Sequence, residues 1–78
     1  MSKAVYMSGK AANVMMDIWA ASQKVPAGVP VPVTDASGAS ELERAGMIER
    51  HHLGKGFGAV VTSKGAAFVR DAIRQHSN

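Results

Sequence analysis

Pro26, Pro30 and Pro32 constrain this chain more than any other feature. Each proline fixes φ, lacks a backbone N–H and biases the residue before it toward extended geometry. No helix can run through residues 26–33, so Val25-Pro26-Ala27-Gly28-Val29-Pro30-Val31-Pro32-Val33 is expected to be extended. The segment suits a stiff loop laid across a core; the alternative is a strip on which a partner docks. Either way it ends one helical segment and separates it from a longer, mixed one.

Before the prolines, residues 9–25 place Ala11, Val14, Met15, Ile18, Trp19, Ala21, Ser22 and Val25 on one face at about 100° per residue. Lys10, Asn13, Asp17 and Lys24 fall opposite, and Ser8 is the expected N-cap. The apolar arc covers nearly half the circumference. Either this is simply the central helix of a small core, or part of the arc meets a second subunit. In the second case Met15, Met16 and Trp19 form a homodimer interface.

After the prolines, residues 34–46 suit a second helix with Ala39, Leu42 and Ala45 inward. Ser40-Glu41-Leu42-Glu43 has the form of a capping box, Thr34 or Asp35 would cap an earlier start, and Gly46 is a natural stop. Residues 47–53 and 58–62 read as two strands joined by Gly54-Lys55-Gly56-Phe57-Gly58. Thr62 or Ser63 then caps a last helix to about residue 76, with Ala66, Phe68, Val69, Ala72 and Ile73 inward and a frayed end. Ile18, Leu42, Ile48, Val60, Phe68, Val69 and Ile73 are expected to share one core. The expected fold is α+β: one small domain over residues 1–78, with three helices and a two-stranded β-hairpin.

Composition narrows the function. With no Cys, disulfides and thiolate metal sites are excluded. No apolar run reaches the ~20 residues that cross a bilayer, and Met1–Met7 does not have the form of a secretory signal, so a cytoplasmic site is expected. The net charge of +3 permits nucleic-acid contact without demanding it.

The chemical motifs are weak. Gly54-Lys55-Gly56-Phe57-Gly58 leads into a strand, whereas a phosphate cradle leads into a helix, so it reads as a hairpin tip. Adjacent strand residues face opposite ways, so His51 and His52 are not expected to share a metal. No nucleophile elbow, HExxH pair or carboxylate pair in an apolar run appears. Neither an enzyme nor a cofactor is expected.

One stretch carries more information. Leu42-Glu43-Arg44-Ala45-Gly46-Met47-Ile48-Glu49-Arg50, followed by Val60-Val61-Thr62-Ser63-Lys64-Gly65, resembles winged helix-turn-helix regulators of the MarR-like and ArsR-like kind. There a recognition helix ends in a similar "LexxGLIxR" stretch, a hairpin wing follows, and an "LTxKG" stretch opens the next helix. The resemblance covers residues 39–69 and implies a winged-helix-like domain that regulates transcription on double-stranded DNA. Residues 34–46 would be the recognition helix, and Ser37, Ser40, Arg44, Arg50, His51, His52, Lys55 and Lys64 the DNA-contacting set.

Thirteen residues separate Pro32 from Gly46, room for one helix only. The supporting helix of the motif must be missing, reduced to a turn or replaced by the proline segment. The outward face of the second helix also offers serines and mixed charge where base readers offer Arg, Lys, Asn or Gln. The competing expectation is a module of the same fold, of a kind encoded by phages or plasmids, that binds a protein partner and modulates a larger complex.

Overall fold

The computed structural model describes residues 8–76, His76 by its backbone alone. The elements run α1 (Gly9–Ser22), β1 (Val31–Val33), α2 (Ala36–Arg44), β2 (Ile48–His52), β3 (Phe57–Val61) and α3 (Ser63–His76). The class is α+β, with three helices and one antiparallel sheet of order β1-β3-β2. Expectations about residues 1–7 and about the last two residues of the expected fray (75–78) lie outside the described residues, while Gln75 and His76 belong to α3. None of the helices is long and apolar enough to cross a membrane among the described residues.

Caps set the helix starts. The Ser8 hydroxyl accepts from the Ala11 N–H and opens α1. Asp35, the earlier of the two starts, caps α2 by accepting from the Gly38 N–H at 3.0 Å. Thr62 caps α3: its hydroxyl accepts from the Gly65 N–H at 3.0 Å and donates to the Gly46 carbonyl at 2.6 Å. Gly46, at φ 79°, turns the chain out of α2, as its place in the sequence requires.

The expected two-stranded hairpin is one strand short. Val31-Pro32-Val33 is a strand, with Val31 opposite Ala59, Pro32 opposite Gly58 and Val33 opposite Phe57. Proline is tolerated there because β1 lies at the sheet's rim, where an N–H on the open side has no ladder partner to lose. The hairpin itself pairs Ile48 with Val61 through to His52 with Phe57. Phe57, expected in the turn, opens β3, and Gly58, where the strand was expected to begin, is its second residue. A Cβ on Gly58 would stand 2.9 Å from the Val31 carbonyl oxygen and 3.1 Å from Pro30 Cβ. The glycine lets the proline strand lie against the hairpin.

Two more glycines permit close packing. A Cβ on Gly38 would sit 2.7 Å from Val14 Cγ2, where α2 crosses α1. A Cβ on Gly65 would overlap the Met47 carbonyl. Met15, Leu42, Met47 and Val69 are the largest fully buried side chains, joined by Val14, Ile18, Val31 and Ile48. Of the expected core, Val60 and Phe68 are only half-buried and Ile73 is 47% exposed. Ile73 sits in the last half of α3. Met47, on the short link between α2 and β2, is buried nearer the centre.

Candidate macromolecule-binding face

The expected contact residues divide into a clamped group and an open one. Arg50 is the centre of the first. Its Nη2 donates to Ser40 Oγ at 3.1 Å, its Nε lies 3.4 Å from Glu43 Oε1, and its guanidinium carbon stands 4.3 Å from the Phe57 ring centroid. Phe57 comes from β3 and Ser40 and Glu43 from α2, so one side chain ties the hairpin to the helix. A guanidinium suits this place because it stacks on an aromatic ring and directs several donors at once. Ser40 is thereby engaged. Ser37 is too: its hydroxyl donates to Asp35 Oδ1 at 3.0 Å and accepts from Lys10 Nζ at 3.3 Å.

The open group lies toward the tip and the ends of α2. Lys55 is exposed between Gly54 and Gly56, and the turn closes with the Leu53 N–H donating to the Gly56 carbonyl, Gly56 at φ 74°. His51 and His52 are both exposed. His51 Nε2 stands 3.5 Å from Glu49 Oε1, its neighbour on the same strand face. Arg44 is exposed in the last turn of α2, where a cation suits the helix dipole. Lys64 is exposed near that same end, its Cδ 3.6 Å from where a Gly46 Cβ would stand.

The expected α1 interface changes more. Met15 is 1% exposed and belongs to the core of its own chain, so it has no surface to give a second one. Met16 is 48% exposed, and Trp19 is half-buried beside a groove with Val25, Pro26, Val29 and Arg70 along it. Packed and open are adjacent residues here, because successive positions on a helix point about 100° apart.

Two carboxylates are shifted. Hydrogen bonding from the Gly38 N–H, with help from the Ser37 hydroxyl and Lys10, holds Asp35 below the usual carboxylate range. Glu41 is lowered first by the Ser8 N–H, then by the Ser8 hydroxyl and nearby Arg44. The Ser8–Glu41 link spans 33 positions, and no local spacing in the sequence signals it.

The stretch that builds most of this face carries no excess of positive charge. From Asp35 to Phe57 the acids are Asp35, Glu41, Glu43 and Glu49, against Arg44, Arg50 and Lys55. With neutral histidines that stretch is one unit negative, and the basic excess of the whole chain lies outside it. No protein-family model, curated protein or solved structure gives a significant match to the chain.

Proposed function

We propose that this chain is a small winged-helix-like regulator, without catalytic activity, that contacts duplex DNA mainly through the phosphate backbone at its hairpin. The observation that carries this reading is the placement of α2 beside a glycine-flanked hairpin whose tip presents an unclamped Lys55. The sheet order β1-β3-β2, with α2 leading directly into β2, supports it. So does the resemblance of residues 42–50 and 60–65 to winged helix-turn-helix regulators. The proline segment, paired as β1, fills the place of the supporting helix. Lys55, Arg44 and the two histidines would contact phosphates; Arg50 would act as a positioning residue that fixes the hairpin against α2. Ser37 and Ser40 are already bonded within the chain, which leaves little for base readout.

A second reading has its own support. The stretch from Asp35 to Phe57 is one unit negative and Lys64 beside it only brings the face to neutral, so phosphate meets no net attraction there, and the same surface would serve as a docking site for a protein partner. Binding to a random-sequence duplex across a salt series separates the two. Phosphate contact gives measurable affinity at about 50 mM salt and a log–log slope of roughly −0.9 per contact. No affinity at that salt would end the DNA reading and leave the protein-binding module.

A further inference from the structure

Positive charge is unevenly placed along this chain. Outside Asp35–Phe57 the cations are Lys3, Lys10, Lys24, Lys64, Arg70 and Arg74, against Asp17 and Asp71. Half of those cations lie on α3, which sets Lys64, Arg70 and Arg74 against Asp71 alone. All four are exposed, and none is in either of the ion pairs among the described residues, Arg50–Glu43 and His51–Glu49. They surround a shallow groove whose apolar part is Met47, Ala67 and Phe68. Arg70 also edges the groove beside Trp19, so the cationic side of α3 meets open apolar surface twice. From Lys64 to Arg74 the stripe is about 15 Å long at ~1.5 Å per residue, close to three helical turns.

We propose that this groove docks an acidic amphipathic helix of a partner protein. Such a helix lays its apolar stripe on Ala67 and Phe68 and turns Glu or Asp side chains toward Lys64, Arg70 and Arg74. The small Ala67 lets the partner backbone come close, and Phe68 gives it an aromatic edge to pack on. Charge selects the occupant. Two arginines without an ion-pair partner offer forked donors that match carboxylates, and aromatic and Arg side chains carry much of the energy at protein interfaces. A second copy of this chain would bring the same cationic excess against itself. Duplex DNA needs an unbroken line of cations, and here it would meet an apolar floor and Asp71. A lipid surface calls for a broad apolar arc, whereas Phe68 is the single large apolar side chain that α3 gives the groove. The stretch Asp35–Phe57 lacks this excess of positive charge, so an acidic helix is drawn to α3 rather than to the hairpin. The site does not depend on what the hairpin binds.

The test uses the full chain and a fluorescein-labelled peptide of about 15 residues, with Leu at every third or fourth position and Glu on both flanks. Fluorescence anisotropy at about 50 mM salt should give a dissociation constant in the micromolar range that rises with salt. Arg70→Glu combined with Arg74→Glu should weaken binding roughly tenfold or more. Ala67→Glu, at an exposed position, should weaken it too by placing a charge on the floor. Asp71→Asn removes the one acid in the groove and should tighten binding, a gain that loss of structure cannot imitate. Circular dichroism confirms that each variant is folded. A scrambled peptide of the same composition should bind far more weakly, and one with Lys in place of Glu not at all. A wild type that fails to bind overturns the proposal, as does a double variant that binds as the wild type does. Equal binding of the scrambled peptide would reduce the site to diffuse attraction and overturn it as well. Tighter binding to phosphatidylserine vesicles or to a random-sequence duplex, lost in the double variant, would give the face to lipid or DNA instead. Self-association abolished by the same variant would give it to a second copy.

Discussion

Glu41, in the middle of α2, caps the start of α1: one carboxylate oxygen accepts from the Ser8 N–H at 2.9 Å and the other from the Ser8 hydroxyl at 2.8 Å. Ser8 in turn accepts from Ala11, so two helices share one capping network. Glu41→Gln keeps the shape but removes the charge that strengthens both bonds. It should lower the melting temperature measurably at neutral pH, with the loss reported first by amide exchange in the opening turn of α1. Unchanged protection there would contradict the assigned link.

The pH dependence follows from the same group. The folded-state pKa of Glu41 lies below its ordinary 4.5 and that of Asp35 below its ordinary 3.8. A depressed carboxylate stabilises fully above its unfolded value, and that contribution fades as pH falls through the folded value. Melting temperature should therefore decline below about pH 4.5 and keep declining past 3.8. Glu41→Gln should flatten the upper part of that decline. A decline of the same shape in the variant would remove Glu41 as its source.

Core truncations should rank by burial. Leu42→Ala, at a site 0% exposed, should cost about 2–5 kcal/mol. Phe68→Ala should cost less than a buried aromatic does, and Ile73→Ala less again, since those side chains are half-buried and 47% exposed. Urea unfolding of the three variants gives the order. Equal losses at Leu42 and Ile73 would mean that α3 packs differently from the arrangement described.

The helix crossing supplies a paired test. Gly38→Ala gains helix propensity of about 1 kcal/mol but drives a methyl into Val14, whose Cγ2 would be 2.7 Å away. The overpacking should dominate, for a net loss of roughly 1–2 kcal/mol. Adding Val14→Ala should recover part of it, a coupling that a double-mutant cycle reads directly. Additive losses would place the clash elsewhere.

Arg50 and Lys55 should separate clamp from contact. Arg50→Lys loses the fork and most of the stacking on Phe57, so hairpin stability should fall by roughly 1 kcal/mol. Lys55→Ala should leave stability within about 0.5 kcal/mol. If the hairpin binds DNA, Lys55→Ala should also reduce the magnitude of the salt slope by about 1. A stability loss at Lys55 equal to that at Arg50 would mean that the tip is packed.

Much of the fold was legible because its punctuation is local. Ser8, Asp35, Gly46 and Thr62 act at the boundaries their chemistry suggests. What stayed hidden is tertiary. The valines around Pro32 have strand propensity, yet only the presence of Gly58 opposite makes them a strand, and that register is invisible along the chain. Gly38 looks like a weak point in a helix until Val14 is set against it. The candidate contact residues were found as types and positions, but the clamping of Arg50 by Ser40, Glu43 and Phe57 depends on the α2–hairpin angle, which no spacing encodes.

Pro32 has one further consequence. A sheet with open rims is a template on which stray strands, including those of neighbouring copies, can add and grow into aggregates. At the β1 rim a three-residue strand with proline at its centre lacks one of the donors such growth would need. The opposite rim, Ile48–His52, carries the charged side chains of Glu49 and Arg50, which resist such pairing. Each rim is defended by different chemistry. The defence at the β2 rim is electrostatic and weakens as salt screens it, while the defence at the β1 rim is covalent and does not.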